Sequence, residues 1–140
     1  QVSFNLADQG PRLGLLKAAK AKGMGVIIKR PLANAAWGSA ASPTAGYKWG
    51  ADYADEYWRR AQIMVAPGPI PGLPVGGVAA ALGFVFAHDE VDIALVGTRN
   101  PAHMRSNIDL LERGVSIAES AVEELYRRWD KFNDNWVGQV

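Results

Sequence analysis

The chain has 140 residues, of which 49% are hydrophobic, and it carries a formal net charge of +1. This length and composition suit one domain with an ordinary core and argue against disorder or a fibre. A balanced charge without a long basic run makes nucleic acid a poor partner. The chain has no Cys, which excludes disulfides and thiolate metal sites and agrees with a cytoplasmic location.

No stretch approaches 18 consecutive apolar residues and the pattern of a signal peptide is missing, so we expect no membrane partner.

The beginning of the chain is strand-like. The chain starts at Gln1 without Met and runs directly into the alternating residues 2–6, which predict a strand. We interpret this start as that of an internal fragment.

Helix and strand signals alternate in the first half of the chain. A helix is predicted from Asp8 and Pro11 to Gly23, where a cationic last turn and a glycine are typical of a helix end. The apolar, β-branched residues 25–28 predict a strand buried on both faces. A loop rich in Ala, Gly, Ser and Pro follows over residues 32–47, and long loops of this kind usually carry function.

The second half continues the alternation. The expected segments are a helix at 52–64, a connector with four prolines at 66–74, an enclosed helix at 75–88, a buried strand at 92–97 and a helix at 101–114. Asn100 is the predicted cap of that last helix, with Pro101 at its first position. Residues 116–119 fit a capping box, which begins a final amphipathic helix. Its apolar stripe comprises Val122, Leu125, Trp129 and Phe132.

This order of elements predicts parallel strands joined by right-handed crossovers. Ligands of such folds gather at the carboxyl ends of the strands, which here follow Leu6, Ile28 and Val96. The free N–H groups of the helix after Asn100 favour an anion. The planar guanidinium of Arg99 can donate two parallel hydrogen bonds to a phosphate. The alternative interpretation is structural, with a turn at residue 97, a helix cap and a solvated arginine.

Three segments resemble one known family. Residues 27–34 (IIKRPLAN) and 96–107 (VGTRNPAHMRSN) resemble the last strands and phosphate-binding loops of aldo-keto reductases, and residues 1–6 (QVSFNL) are similar to that family's sixth strand. The resemblance spans nearly the whole chain. It implies an α/β fold in which residues 1–140 form the C-terminal portion of a parallel (β/α)8 barrel, comprising strands six to eight and the C-terminal helices. A complete barrel typically needs about 250 residues.

The resemblance implies a cofactor-binding role for ten residues. They are Gln1, Lys29, Arg30, Leu32, Asn34, Gly97, Thr98, Arg99, His103 and Asn107. Gln1 matches the glutamine that binds the nicotinamide carboxamide. Lys29 stands where many members place an aromatic ring that stacks on the nicotinamide, so the sequence departs from the family there.

The remaining matches concern the phosphates and the adenosine. Residues 30–34 match the loop that holds the pyrophosphate. Residues 97–99 match the segment at the adenosine ribose, where an arginine favours a 2′-phosphate and hence NADP(H) over NAD. His103 and Asn107 share a helix face and match positions near the adenine and its phosphate. We assign no metal site, because one His beside an Asn is an inadequate ligand set.

The family reduces aldehydes and ketones to alcohols by hydride transfer, with a tyrosine acid assisted by a lysine, an aspartate and commonly a histidine. Those residues lie on earlier strands, N-terminal to this chain, so we assign no catalytic residue; Tyr47, Tyr53, Tyr57 and Tyr126 are not candidates. The chain alone is therefore expected to be inactive. Its expected partners are a small carbonyl substrate and the remainder of the barrel or a completing chain.

Two further interpretations remain open. The alternative function is a non-catalytic half-barrel module that binds a nucleotide or a protein. His88, at the end of the enclosed helix, is predicted to be a cation that complements the helix dipole. The tryptophans Trp37, Trp49 and Trp58 either wall a substrate pocket or pack beneath a loop.

Overall fold

The computed structural model describes residues 1–42 and 52–139. Within these residues the chain has three parallel strands and five α-helices, which confirms the predicted α/β class. The elements are β1 (Val2–Ser3), α1 (Leu15–Ala21), β2 (Ile27–Lys29), α2 (Asp52–Val65), α3 (Gly77–Phe86), β3 (Ile93–Leu95), α4 (Pro101–Glu112) and α5 (Glu119–Phe132). Short 3₁₀ turns lie at Gly10–Leu13 and Ala33–Ala35.

The sheet has the order β1-β2-β3, and both pairings are parallel as predicted. Val2 lies opposite Ile28, and Ile27 lies opposite Ile93. Asp92 fixes the start of β3 against β2, because its carboxylate accepts the Val26 N–H at 2.6 Å and the Lys20 ammonium at 2.6 Å. The carboxyl ends of all three strands therefore lie at the same edge of the sheet.

The core lies between the sheet and the helices α2, α3 and α5. Phe4 and Ile28 of the sheet region are fully buried, and the ring of Phe4 lies 5.4 Å from that of Phe84 on α3. From α5, Leu125 and Trp129 are buried, as the apolar stripe predicts. Burial of the stripe, which is worth about 1.5–3 kcal/mol for each large side chain, fixes α5 against the rest of the molecule.

Several predicted helix ends are confirmed and others are wrong. Asn100 caps α4 through its side-chain oxygen, which accepts the Ala102 N–H at 3.0 Å. Gly23 has a left-handed φ of 68° directly after the predicted end of α1. The helix predicted from Asp8 is wrong in its first half, where a 3₁₀ turn precedes α1. The capping box is also wrong, because Ala118 is the N-cap of α5 and offers no side-chain acceptor.

The prediction that the strand at 92–97 is buried is wrong. Ile93 and Leu95 are each 48% exposed, because β3 has β2 on one side and lies at the edge of the described sheet. The same side of the molecule carries α4, of which no residue is buried and on which Ile108 is 48% exposed. The helix α3 is enclosed only over residues 80–85, whereas Val75 before it is fully exposed.

His88 is at the end of α3 as expected, but its predicted charge is wrong. It is buried, its Nδ1 lies 2.8 Å from the Phe84 carbonyl oxygen, and its Nε2 lies 2.7 Å from the Tyr126 hydroxyl. The Phe84 carbonyl can only accept, so Nδ1 carries a proton, and the Tyr126 hydroxyl can donate to Nε2 when the ring is neutral. Burial lowers the pKa of His88 below its ordinary value of 6.5, so the imidazole is neutral at pH 7.

Two buried arginines hold α2 and α5 in place. Both helices carry the sequence Glu-x-x-Arg-Arg, and the second arginine of each, Arg60 and Arg128, is buried. Arg60 donates to Glu56 at 2.6 Å and to the Val137 carbonyl at 2.8 Å. Arg128 donates to Glu124 at 2.7 Å and to backbone carbonyls of residues 64 and 68. Each buried cation is thus paired and hydrogen-bonded, which offsets its loss of hydration.

Replacement of Glu56 by Gln tests this pairing through pH. The Arg59 side chain lowers the pKa of Glu56 from 4.5 to about 2, Arg60 adds to this, and burial opposes it. Because the folded pKa is the lower one, the pair stabilises the fold above pH 4.5, and this contribution is lost as the pH falls towards about 2.

We therefore expect Glu56→Gln to lower the Tm clearly at pH 7 and to leave it nearly unchanged at pH 2. Thermal unfolding followed by circular dichroism measures the difference, with Glu123→Gln on the exposed side of α5 as the control. An equal loss of Tm at both pH values would contradict the pairing.

Candidate functional site

A long groove lies at the carboxyl ends of β2 and β3. One wall is the loop of residues 30–35 after β2, the other is residues 95–98 with the face of α4, and the start of α3 at residues 75–79 closes it. Its volume is about 1270 Å³, which exceeds the roughly 300–1,000 Å³ of an ordinary small-molecule pocket. The tip of β1 joins this rim, because Asn5 Nδ2 donates to the Arg30 carbonyl at 3.0 Å. All three strand ends thus contribute to one rim.

The groove brings together most of the residues that the sequence predicts as a cofactor site. The lining members are Arg30, Leu32, Asn34, Gly97, Thr98, His103 and Asn107. Gln1 is exposed beside β1, and Lys29 is the half-buried last residue of β2; neither lines the groove. Arg99 lies in an adjoining depression of about 510 Å³, which shares Thr98 and Arg105 with the groove.

The loop after β2 has an unusual backbone. Arg30, Ala33, Asn34 and Ala35 all have left-handed φ angles, between 47° and 60°. Such a conformation costs roughly 1–2 kcal/mol for each residue other than glycine, with asparagine among the exceptions. Buried Ala33 and Ala36 anchor the loop, and the Ala33 N–H bonds to the Arg30 carbonyl at 3.0 Å. Backbone strain that the surroundings enforce in this way is concentrated at functional sites in proteins.

The start of α4 differs from the prediction. The sequence suggests free N–H groups there, but Asn100 takes up the first ones. Its side-chain oxygen accepts the Ala102 N–H, and its carbonyl accepts the His103 N–H at 3.1 Å, while Pro101 has no N–H. An anion at this end of α4 would therefore be attracted by the helix dipole and by nearby side chains rather than by these backbone donors.

Side chains of α4 and of the residue directly after it add charge to the groove beside that of Arg30. Arg105 and Arg113 line it, with Asp109 between them, and Ser106 adds a hydroxyl. These residues were not predicted from the sequence, although Arg105, Asp109 and Arg113 recur every four positions and so share a helix face. The two guanidinium groups and the hydrogen-bonding side chains of the lining suit an elongated ligand with phosphate groups.

Behind the loop lies a buried polar cluster. Asp8 is 2% exposed and Tyr57 is fully buried, with the Tyr57 hydroxyl 3.3 Å from the carboxylate. Burial raises the pKa of Tyr57, the Asp8 charge raises it further, and hydrogen bonds with the Arg30 and Asn5 side chains oppose both effects. Burial likewise raises the pKa of Asp8, against the Gln139 N–H and the nearby guanidinium groups. Arg30 therefore interacts with this buried cluster and also lines the groove.

Trp37 and Trp58 pack beneath the loop rather than wall the groove. Trp37 is buried and borders a shallow depression of about 200 Å³ next to the groove. Trp58 is half-buried and donates its indole N–H to the Ser39 carbonyl at 3.2 Å. Trp49 and Tyr47 lie outside the described residues.

Two absences are seen within residues 1–42 and 52–139, one of a metal site and one of a membrane-spanning helix. No group of three or more His, Cys, Asp or Glu side chains in this part of the chain is placed to hold a metal ion. None of the helices that the structure describes is long and apolar enough to cross a membrane.

Two glycines of the groove give a matched test of its shape. A Cβ on Gly77 would lie 2.0 Å from the Trp37 carbonyl oxygen, whereas a Cβ on Gly97 would meet nothing within 4 Å. We expect Gly77→Ala to push the loop away from α3 and to lower the Tm by several degrees, since overpacking of this kind costs about 1–3 kcal/mol. Gly97→Ala should leave the Tm within a degree or so. Equal Tm values for the two variants would contradict the close contact between loop and helix.

Comparison with known proteins adds no family assignment, since no protein-family model matches the chain and no curated protein matches it at a significant level.

Proposed function

We propose that this chain is the cofactor-binding part of an NADP(H)-dependent reductase of aldehydes and ketones, similar to the aldo-keto reductases. On this proposal, residues 1–140 are strands six to eight of a parallel (β/α)8 barrel with its C-terminal helices. The single observation that carries the proposal is the common rim. Seven of the ten residues that the resemblance marks line one groove at the carboxyl ends of parallel strands.

The residues of the groove fit a dinucleotide in size and chemistry. The groove is long enough to involve two strand tips, and Arg105 and Arg113 offer charge to phosphate groups. Thr98, Asn34 and Asn107 offer hydroxyl and amide groups to the ribose and the base. The bound nicotinamide would supply the hydride. In this chain the residues bind and orient the cofactor, and the proton-donating residues belong to the part of the barrel that precedes it.

Exposed apolar side chains support the second half of the proposal, that a further part of the barrel covers this one. Ile93 and Leu95 of the edge strand β3 are half exposed, as are Ile108 and Leu111 of α4 to 48% and 39%. An edge strand with apolar side chains is an interaction surface, because its backbone groups and side chains both lack a covering layer. A further strand beside β3 with a helix on α4 would cover both.

The oligomeric state of the isolated chain tests this covering. We expect the chain to associate in sedimentation velocity experiments, and we expect Ile93→Lys to reduce the association, since a charge on an edge strand opposes pairing. Val137→Lys, at a side chain that is 74% exposed elsewhere, is the control and should not change it. A compact 15.1 kDa monomer with full secondary structure would contradict the partial barrel.

Cofactor preference tests the assigned ligand. Tryptophan fluorescence can report binding, because Trp37 packs beneath the loop that follows β2. Titrations with NADPH and with NADH should show tighter binding of NADPH. Arg99→Gln should weaken NADPH binding about tenfold, which corresponds to about 1.4 kcal/mol, and should change NADH binding little. The reason is that this guanidinium is proposed to bind the 2′-phosphate, which NADH lacks.

Arg127→Gln, at an exposed arginine of α5 that does not line the groove, is the matched control. A folded chain whose fluorescence responds to neither dinucleotide would remove the proposed function. Equal losses for NADPH and NADH in Arg99→Gln would remove the assignment of the 2′-phosphate.

A further inference from the structure

Asp8 lies where three segments of the chain meet. It belongs to the tip of β1, and its Oδ2 accepts the Tyr57 hydroxyl at 3.3 Å and the Gln139 N–H at 3.0 Å. The positive charges that face it are Arg30 of the groove loop and Arg60 of α2. One buried carboxylate therefore touches the chain's last described residue and faces the first residue of the groove loop.

The C-terminal segment, residues 136–139, is held near Asp8 by hydrogen bonds and aromatic contacts. Arg60 donates to the Val137 carbonyl at 2.8 Å, and its guanidinium lies 5.0 Å from the centre of the Trp136 ring. Trp136 in turn meets Trp129 of α5 edge to face at 6.5 Å. No residue of the segment lines the groove. Any influence of the segment on a ligand must therefore pass through other residues.

The groove loop, residues 30–36, depends on support from the same place. Arg30 opens the loop in a left-handed conformation, and its carbonyl is held by Asn5 at 3.0 Å. Its side chain reaches the Tyr57 hydroxyl, which also binds Asp8. Because several residues of this loop have unfavourable φ angles, loss of one support should release it into more relaxed conformations.

We propose that Asp8 is a positioning residue that couples the C-terminal segment to the groove loop, so that dinucleotide affinity depends on a segment that does not touch the ligand. The inference rests on the proposed function for the identity of the ligand. When the link between residue 139 and Asp8 is lost, the carboxylate is free to turn away from Arg30. The loop then populates its binding-competent conformation less often, and the apparent affinity for the dinucleotide falls in proportion to that population.

A matched pair of variants at Gln139 isolates the link. Gln139→Pro removes the backbone N–H that binds Asp8, whereas Gln139→Ala keeps it. The first measurement is amide hydrogen exchange of Ala33, Ala35 and Ala36 without ligand, whose N–H groups are hydrogen-bonded within the loop. The second is the Kd for NADPH from tryptophan fluorescence.

We expect Gln139→Pro to speed exchange of these three amides and to raise the Kd about fivefold, a size common for coupling through a packed network. Gln139→Ala should leave both within about twofold of the unchanged chain. Asp8→Ala, which removes the acceptor, should act like Gln139→Pro, while Asp89→Ala, at an exposed aspartate, should have no effect. The double variant of Asp8→Ala with Gln139→Pro should bind no more weakly than Asp8→Ala alone, because both changes break the same link.

Equal exchange in Gln139→Pro and Gln139→Ala would overturn the inference, as would additive losses in the double variant. Faster exchange throughout β2 and α5 as well as in the loop would also overturn it, since this would mean a general role in stability. If the unchanged chain binds no NADPH, the proposed function fails, and the exchange measurements without ligand still decide the role of Asp8.

Discussion

The groove exists because β2 pairs in parallel with both β1 and β3. Parallel pairing brings the three strand ends to one edge, so that the loops after β2 and β3 face each other and the tip of β1 supports the first of them. An antiparallel pairing of β3 would send residues 97–107 to the opposite edge. Asp92 contributes directly, because it ties the beginning of β3 to Val26 and Lys20 and so helps to fix the register on which the groove depends.

Within this frame, the two walls of the groove are built differently. The loop after β2 is a strained backbone held by burial and by a polar cluster, and α4 is an exposed helix with a well-satisfied N-terminus and arginines along one face. The proposed ligand would therefore meet a fixed backbone on one side and long charged side chains on the other. This division suits a pyrophosphate on the rigid wall and further phosphate groups on the adaptable one.

Local signals in the sequence predicted much of the fold. The cap at Asn100, the helix 52–64 and the proline-rich connector depend on residues that act on their own neighbours, so the sequence shows them directly. The sequence could not show properties set by distant residues. Burial lowers the pKa of His88, and this burial involves residues far away in the sequence, such as Tyr126, 38 positions away, whose hydroxyl contacts the His88 Nε2. The predicted burial of β3 was wrong because burial depends on which layers cover a strand.

The candidate site was predictable to a similar degree. Residues 30–34 and 97–107 were marked by their positions after strands, and seven of ten marked residues line the groove. Arg105 and Arg113 were not predicted, although their spacing places them on one helix face with Asp109, because the resemblance marks only His103 and Asn107 on α4. The cluster of Asp8 and Tyr57 had no local signal, since it joins residues 49 positions apart.

In the proposed function, one dinucleotide lies across the tips of β2 and β3. This placement can be tested by amide chemical-shift mapping of the isotope-labelled chain during titration with NADPH. We expect the largest shifts to occur together in residues 30–36 and 97–107, with little change in α1 or at the exposed end of α5. Shifts confined to one of the two loops, or largest on another face of the molecule, would contradict the account.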